Sequence, residues 1–514
     1  MSCTGLPNLI RHRGGILIFL KKPSLLSIFC AFSLILTVSS CSDDNGSSTR
    51  AYNLPETADY STLSWSSAFE AANDKFSREY AFTEWKGIDF ENLYETFAPR
   101  IAAAEAAADP DTYYRTLREY LFSIPDGHIM ITSPDRVGLS GDEIAGGFGL
   151  AAAELDDGRI IAAAVTDGGP AANAGIRVGA ELLTWDGAAV DMAIEAVSVL
   201  WNNEPPATNE NRRMEQVRFL TRAPVGASRT VDFRNPGDTE PASAVMTAID
   251  DDKRGLDLVN FAPRPDMGDV AKLVEYRLLD SGYGYVKVYI ENDMDGESEY
   301  GWAVYAKFEE AIKYFVELNV PGLIVDLRGN MGGSDETAAD ISGFFYEEAR
   351  HYENQVLYNA LTGQFMWVLL NEKEGNILPI PRSLEITPQS AYYGGPVIAL
   401  VNPACISSGE GIAMGIQNSP NGRVIGFFGT NGSFGITGGK IIMPFTSEFR
   451  CGFAYPIGRS LDADFVVQID SGKDGKGGVF PNKRVPRTLE NVLAYANGDD
   501  IELQFAIALL QEGS

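Results

Sequence analysis

The apolar positions change their spacing twice along the chain, and each change marks a different kind of structure. From Tyr60 to Phe122 they recur at steps of three and four, as in Trp65-Phe69, Leu93-Phe97-Ile101 and Tyr113-Leu117-Leu121. That spacing predicts amphipathic helices. Ala102 to Ala108 is a strong helix-forming run, which Asp109-Pro110 breaks. From about Gly146 to Val245 the pattern shifts to short strands with glycine turns. From about Gly268 strands and helices alternate. Tyr283 to Ile290 reads as a strand, Trp302 to Leu318 as an amphipathic helix, and Leu323-Ile324-Val325 as a buried strand leading to a glycine-rich turn and another helical stretch. Val397 to Val401 repeats the plan, with a turn at Pro403 and a helix from Ser408 to about Gln417. Such repetition argues an α/β core with its reactive groups at strand ends. No internal repeat of roughly 20–50 residues is visible.

The front of the chain follows different rules. Arg11, Arg13, Lys21 and Lys22 precede an apolar run from Leu25 to Val38 that closes in Ser39-Ser40-Cys41. A basic region, a short apolar stretch and small residues describe a secretory leader, and the stretch is short for a membrane span. Small residues before Cys41 resemble a bacterial lipobox, so residues 1–40 are expected to be a lipoprotein signal and Cys41 the acylated terminus. Ordinary cleavage beside an incidental cysteine is the other reading. By resemblance Ser42 favours the outer membrane of a Gram-negative envelope, and Asp43-Asp44 looks like a surface-export tag. Residues 41–58 are polar and read as a flexible tether.

Composition narrows the function classes. A length of 514 residues implies two or three domains, and 45% hydrophobic residues argue a folded chain. With 41 Lys+Arg against 70 Asp+Glu the formal charge is -29, which argues against nucleic acid and anionic lipid as partners. Loss of the leader removes four basic residues and no acidic one, so attachment to a membrane falls to Cys41. Only 3 His and 5 Cys leave little for a multi-His or Cys-rich metal centre. Beyond Cys41 only Cys405 and Cys451 remain, and an oxidising envelope permits a disulfide between them. Glu291, Asp293, Asp295 and Gly296 look like the opening of an EF-hand loop. Trp302 stands where the bidentate glutamate belongs, so a solvated acidic loop is expected and no metal or cofactor is implied.

Three segments can carry chemistry. Cys405-Ile406-Ser407-Ser408-Gly409-Glu410-Gly411 places a serine between a buried strand and a helix, where the helix N-terminus stabilises developing negative charge. On this segment alone a capping box, Ser407 with Glu410, is the stronger reading. Asp326-Leu327-Arg328-Gly329-Asn330-Met331-Gly332-Gly333 is a glycine-rich turn whose amides could approach an oxyanion, or plain turn chemistry. No Gly-Lys-Ser/Thr follows, which excludes a Walker-type nucleotide loop. His128 lies in the turn Pro125-Asp126-Gly127-His128. It is better placed as an imidazole base than His351, which follows Glu347, Glu348 and Arg350 at an apparent solvated helix end.

Taken together and in this order, these segments resemble the tail-specific (C-terminal processing) and tricorn-core serine peptidase family over about Trp65 to Leu510. Trp85-Lys86-Gly87-Ile88-Asp89-Phe90 through Asp126-Gly127-His128 looks like the family's helical cap. Gly147-Phe148-Gly149-Leu150, Gly169-Pro170-Ala171-Ala172-Asn173-Ala174-Gly175-Ile176 and Val178-Gly179-Ala180-Glu181-Leu182-Leu183 are similar to a PDZ domain. Gly478-Val479-Phe480-Pro481-Asn482 resembles the C-terminal signature, with Asn482 where Asp is usual. The resemblance implies an α/β protease core (ClpP/crotonase-like) at 268–514, an inserted PDZ-like β module at 140–250 and an N-terminal helical cap at 59–135.

It also implies roles. Ser407 would be the nucleophile of an endopeptidase acting through an acyl-enzyme, with amides of Gly332 or Gly333 and of Ser408 as oxyanion hole. One branch of the family uses a lysine in a Gly-Lys-Gly turn. Here Ser433 stands at that place, and Lys440 lies farther on. The tricorn-like branch uses a histidine, which His128 fits. That branch orients its histidine through a glutamate before the C-terminal signature. This chain has none in register, leaving Asp474 or Asp470 as substitutes. Gly147-Phe148-Gly149-Leu150 would hold the free C-terminal carboxylate of a polypeptide substrate. The missing glutamate and Asn482 also keep open a catalytically inactive peptide-binding lipoprotein.

Overall fold

The computed structural model describes residues 54–132, 137–293, 300–366, 382–446 and 449–512. The leader, Cys41 and most of the tether lie outside the described residues. Two parallel strands set the position of everything that matters chemically. Leu323–Asp326 and Val397–Leu400 lie side by side, with Leu323 opposite Val397 and Asp326 opposite Leu400. Both are buried along their whole length, as parallel strands covered on two faces must be.

They form the middle of a six-stranded sheet ordered Val274–Leu278, Gly284–Val288, Leu323–Asp326, Val397–Leu400, Gly422–Gly426, Lys483–Arg484. Only the first pairing is antiparallel. Helices Trp302–Glu317, Asp335–Ser342 and Ser408–Asn418 bury Phe308, Ile312, Ile341 and Ile412 in one core with Val286, Val325 and Ala399. Helix Ile501–Glu512 packs Leu509 and Leu510 with Ile324 and Ile398 in another. Because the two central strands are parallel and in register, their carboxyl ends deliver the turns before Gly333 and before Ser407 to one place.

The predicted helical front forms as Trp65–Glu79, Phe90–Ala106 and Pro110–Phe122. Ser64, Asp89 and Asp109 accept backbone N–H groups at their N-termini. Asp109-Pro110 thus opens the next helix as well as ending the last, with Pro110 in the first turn where it costs no hydrogen bond. These helices share their core with two long strands, Ile436–Pro444 and Arg450–Leu461. Phe76, Ile101, Tyr113 and Leu121 belong to one cluster with Ile441, Met443, Phe453 and Tyr455. The strands belong to a seven-stranded sheet that also holds Arg350–Asn359.

Residues 146–250 include an antiparallel sheet ordered Ala242–Thr247, Ser228–Arg234, Glu181–Trp185, Ile160–Val165, Leu150–Glu154. Phe148, Leu150, Ile160, Trp185 and Phe233 form its core, to which helix Asn209–Phe219 adds Val217. Leu150–Glu154 ends the strand order and leaves a sheet edge.

Three expectations need correction. His351 is exposed, but it sits on the strand Arg350–Asn359 opposite Glu385 and not at a helix end. Cys405 and Cys451 are both buried and free, held in separate cores, so the permitted disulfide is not formed. Glu291 is fully buried and not part of a solvated loop. Asp293 caps helix Trp302–Glu317 by accepting the N–H groups of Ala303 and Val304, while Asp295 and Gly296 lie outside the described residues.

Candidate active site

Ser407 joins its strand to helix Ser408–Asn418 with φ 59° and ψ −133°. A non-glycine residue held there stores roughly 1–3 kcal/mol of strain, which the surroundings must offset. Glu410 supplies the restraint. Its buried carboxylate accepts the N–H groups of Ser407 at 3.2 Å, Gly432 at 2.7 Å and Ser433 at 3.0 Å, and the Thr430 hydroxyl at 2.5 Å. Burial pushes Glu410 up to about 7, while these donors pull the other way. Its half of the capping box is therefore made, but Glu410 ties down two segments instead of one helix end.

Ser433 links the serine to the histidine. Its carbonyl accepts the Ser407 N–H at 3.0 Å, and its Oγ accepts the Gly127 N–H at 2.8 Å. His128 comes next in the chain and is buried. Neither ring nitrogen has a hydrogen-bond partner among the described residues, and Nδ1 lies 3.9 Å from Asp126 Oδ1. Burial lowers its proton affinity; Asp126 opposes that effect and Lys86 adds to it. The balance lowers the proton affinity of the ring and so favours its neutral form. Lys440 sits at an exposed position on strand Ile436–Pro444.

The glycines divide their labour. Gly332, at φ +77°, touches Ser407 where any Cβ would collide with it. Its N–H donates to Asn330 Oδ1 at 2.8 Å, so Gly332 contributes space and not an oxyanion donor. No such bond engages the N–H of Gly333 or of Ser408 among the described residues. Ser408 Oγ lies 3.0 Å from the Gly333 carbonyl and 2.7 Å from Asp335 Oδ1, tying the two turns together.

The two aspartates proposed to orient the histidine separate cleanly. Asp474 is on the surface beside Lys476, at 3.8 Å, and cannot serve as a buried partner of His128. Asp470 is buried. Its Oδ2 accepts the Phe434 N–H at 3.0 Å and its Oδ1 lies 3.7 Å from Lys86 Nζ. Burial drives its proton affinity well up, with Lys86 opposing.

Pattern reading missed Lys86, whose side chain is fully buried and donates to the Ser471 carbonyl at 3.0 Å and Oγ at 2.7 Å. It also gave Asp126 no role. The local signal was present, because an aspartate two residues before His128 can accept that residue's N–H, as it does at 2.9 Å. Asn482 is accounted for: its Oδ1 accepts the Val424 N–H at 2.7 Å, a bond that a carboxylate or an amide makes equally well.

In the β module, the Phe148 carbonyl accepts the Ala171 N–H and the Gly149 carbonyl accepts the Thr166 N–H. The Phe148 ring packs edge-on to Trp185. Gly149, at φ +68°, passes so close to Gly169 that a Cβ would stand 3.2 Å from its Cα. The N–H groups of Phe148 and Gly149 make no loop hydrogen bond among the described residues.

An α/β core with a strained serine at a helix N-terminus, beside a glycine turn and a buried histidine, defines the protein as a serine-type peptidase. Residues 282–465, a little over a third of the chain, match the model of peptidase family S41. The matched span holds Gly332, Gly333, Ser407 and Ser408 but neither His128 nor Asp470. The chain is similar in fold to mature CPAF complexed with lactacystin, with a TM-score of 0.55 and 13% identity over 88% of this chain and 99% of that one. A CPAF mutant gives a TM-score of 0.57 and 14% identity over 87% and 97% of the two chains. No curated protein matches the sequence.

Proposed function

We propose that Ser407 is the nucleophile and His128 the general base of an endopeptidase that cleaves unfolded polypeptides. The observation that carries this reading is the position of Ser433, bonded to Ser407 through one atom and to the residue before His128 through another. Neutral His128 takes the Ser407 Oγ proton as Oγ attacks a peptide carbonyl. The developing oxyanion is met by the N–H groups of Gly333 and Ser408, each such donor being worth about 3 kcal/mol. The imidazolium then protonates the leaving amine, and water releases the acyl group by the same path in reverse.

The module at 140–250 is PDZ-like in this reading, and the front at 59–135 is the helical cap. The free amides at Phe148 and Gly149 would take a substrate's C-terminal carboxylate while its backbone adds to the edge of Leu150–Glu154. Acylation at Cys41 would hold the body at the outer membrane. Protein lacking residues 1–41 should hydrolyse casein, and Ser407→Ala and His128→Ala should each abolish this with the fold intact. Full activity in either variant would remove that residue from the mechanism. Absence of cleavage by the unmutated protein would favour a peptide-binding lipoprotein.

A further inference from the structure

Beneath His128 lies a buried charge cluster that the mechanism above leaves unused. Asp126 is fully buried. The Tyr80 hydroxyl donates to its Oδ2 at 2.7 Å, and the backbone N–H of His128 donates to its Oδ1 at 2.9 Å. That same Oδ1 is the atom 3.9 Å from the ring nitrogen Nδ1. Lys86 and Asp470 stand 3.7 Å apart with no side-chain exposure. Ser471, which accepts from Lys86, has its Oγ 3.5 Å from the carbonyl of Pro125, the residue before Asp126.

We infer that Asp126 is the positioning residue of the His128 base, holding the ring proton on Nδ1 so that Nε2 is bare for the Ser407 proton. The inference rests on the reading of Ser407 and His128 given above, and three observations carry it. First, the acceptor atom is anchored at 2.9 Å by the backbone N–H of the residue it serves and lies 3.9 Å from that residue's ring nitrogen. At 3.9 Å no hydrogen bond exists yet, and catalytic hydrogen bonds are often long before substrate binds. Second, neither ring nitrogen has a competing partner among the described residues. Third, the other aspartates have other neighbours: Asp470 faces Lys86 at 3.7 Å and accepts the Phe434 N–H, and Asp474 faces solvent.

Of the charged groups around the ring, Asp126 favours the imidazolium and Lys86 disfavours it. Asp470, Glu410 and Tyr80 complete the cluster from neighbouring segments. In the reaction the proton moves from Ser407 Oγ to Nε2 and then to the leaving nitrogen as the C–N bond breaks. Asp126 favours the imidazolium that exists between those events.

The histidine scarcity makes the test clean. Protein lacking residues 1–41 retains His128 and His351, and a His351→Gln background isolates one imidazole. Its ring ¹⁵N shifts, above the titration, should report the Nδ1–H tautomer; the Nε2–H tautomer would overturn the assignment without any change at Asp126. Asp126→Asn should lower kcat on casein-derived peptides at least about 100-fold with KM within about twofold. It should also move the His128 titration to lower pH, because a charge favouring the imidazolium is gone. An unmoved titration in Asp126→Asn, or a tautomer change in Asp470→Asn, defeats the inference. Ser407→Ala with retained hydrolysis would instead defeat the underlying mechanism while leaving the tautomer result standing, so the two failures are distinguishable.

Discussion

Gly332 lies directly against Ser407: a Cβ on Gly332 would stand 2.5 Å from the serine Cβ and 3.1 Å from its Oγ. The contact explains why a glycine is needed where its amide is already committed to Asn330. Gly332→Ala should therefore displace Ser407 and add backbone strain at φ +77° of about 1–2 kcal/mol. Loss of at least about 100-fold in kcat, with a folded protein by circular dichroism, is the expected outcome. Near-normal turnover would mean that the serine tolerates movement.

Glu410 gives a second prediction. Glu410→Ala strands the N–H groups of Gly432 and Ser433 and the Thr430 hydroxyl, while the Ser407 N–H keeps the Ser433 carbonyl as its acceptor. Each buried polar group so stranded costs about 1–3 kcal/mol, reduced where water enters the space. Urea unfolding should show a loss of roughly 3 kcal/mol or more, and hydrolysis should fall with it. Glu410→Gln keeps an acceptor oxygen and should lose less of both.

Arg328 clamps the C-terminal helix to the sheet. It pairs with buried Asp326 at 2.7 Å and with Asp500 and Glu502 at 2.7 Å and 3.1 Å. The Arg328 guanidinium and Lys287 hold Asp326 well below the usual carboxylate range, against its burial. Arg328→Ala would leave Asp326 with only Lys287 at 3.5 Å and the Tyr285 hydroxyl at 2.6 Å, at a cost of about 3 kcal/mol, the low end for breaking a buried pair. The peptide-cleaving groups are not touched, so any surviving folded fraction should keep its specific activity.

Glu291 makes stability depend on pH. Burial pushes its carboxyl up to about 8, although Asn330 donates to it at 2.6 Å. Because the folded-state value is raised, its contribution is full below about 4.5 and is lost as pH rises through about 8. Glu291→Gln should match the wild type at about pH 4.5 and below, exceed it increasingly as pH rises towards about 8, and hold a constant advantage above that. Parallel denaturation curves for the two proteins across this window would contradict the direction assigned to Glu291.

Local pattern made much of this molecule legible. The strands around Ile324 and Ile398 are short apolar runs followed by glycine or proline turns, and a buried parallel strand cannot read otherwise. The helix from Ser408 followed from its spacing. The long strands Ile436–Pro444 and Arg450–Leu461 did not stand out: the first is interrupted by Gly438-Gly439, and the second is buried along most of its length, which removes the alternation that marks a half-exposed strand. Of the site, Ser407 and His128 could be named; Lys86 could not, since a lysine beside a tryptophan and a glycine normally reads as surface.

Periodicity and turn residues were enough to place a serine at a strand–helix junction, a glycine turn at another and a histidine in a loop, because these are properties of a few adjacent residues. Folding alone decided which of them share one buried volume. Lys86 meets Ser471 across 385 residues of chain, and Asp474 points to water although Asp470, only a turn away, is enclosed. A charged group's protonation and its use in catalysis depend on the dielectric and the partners around it, and those are set by packing between distant segments.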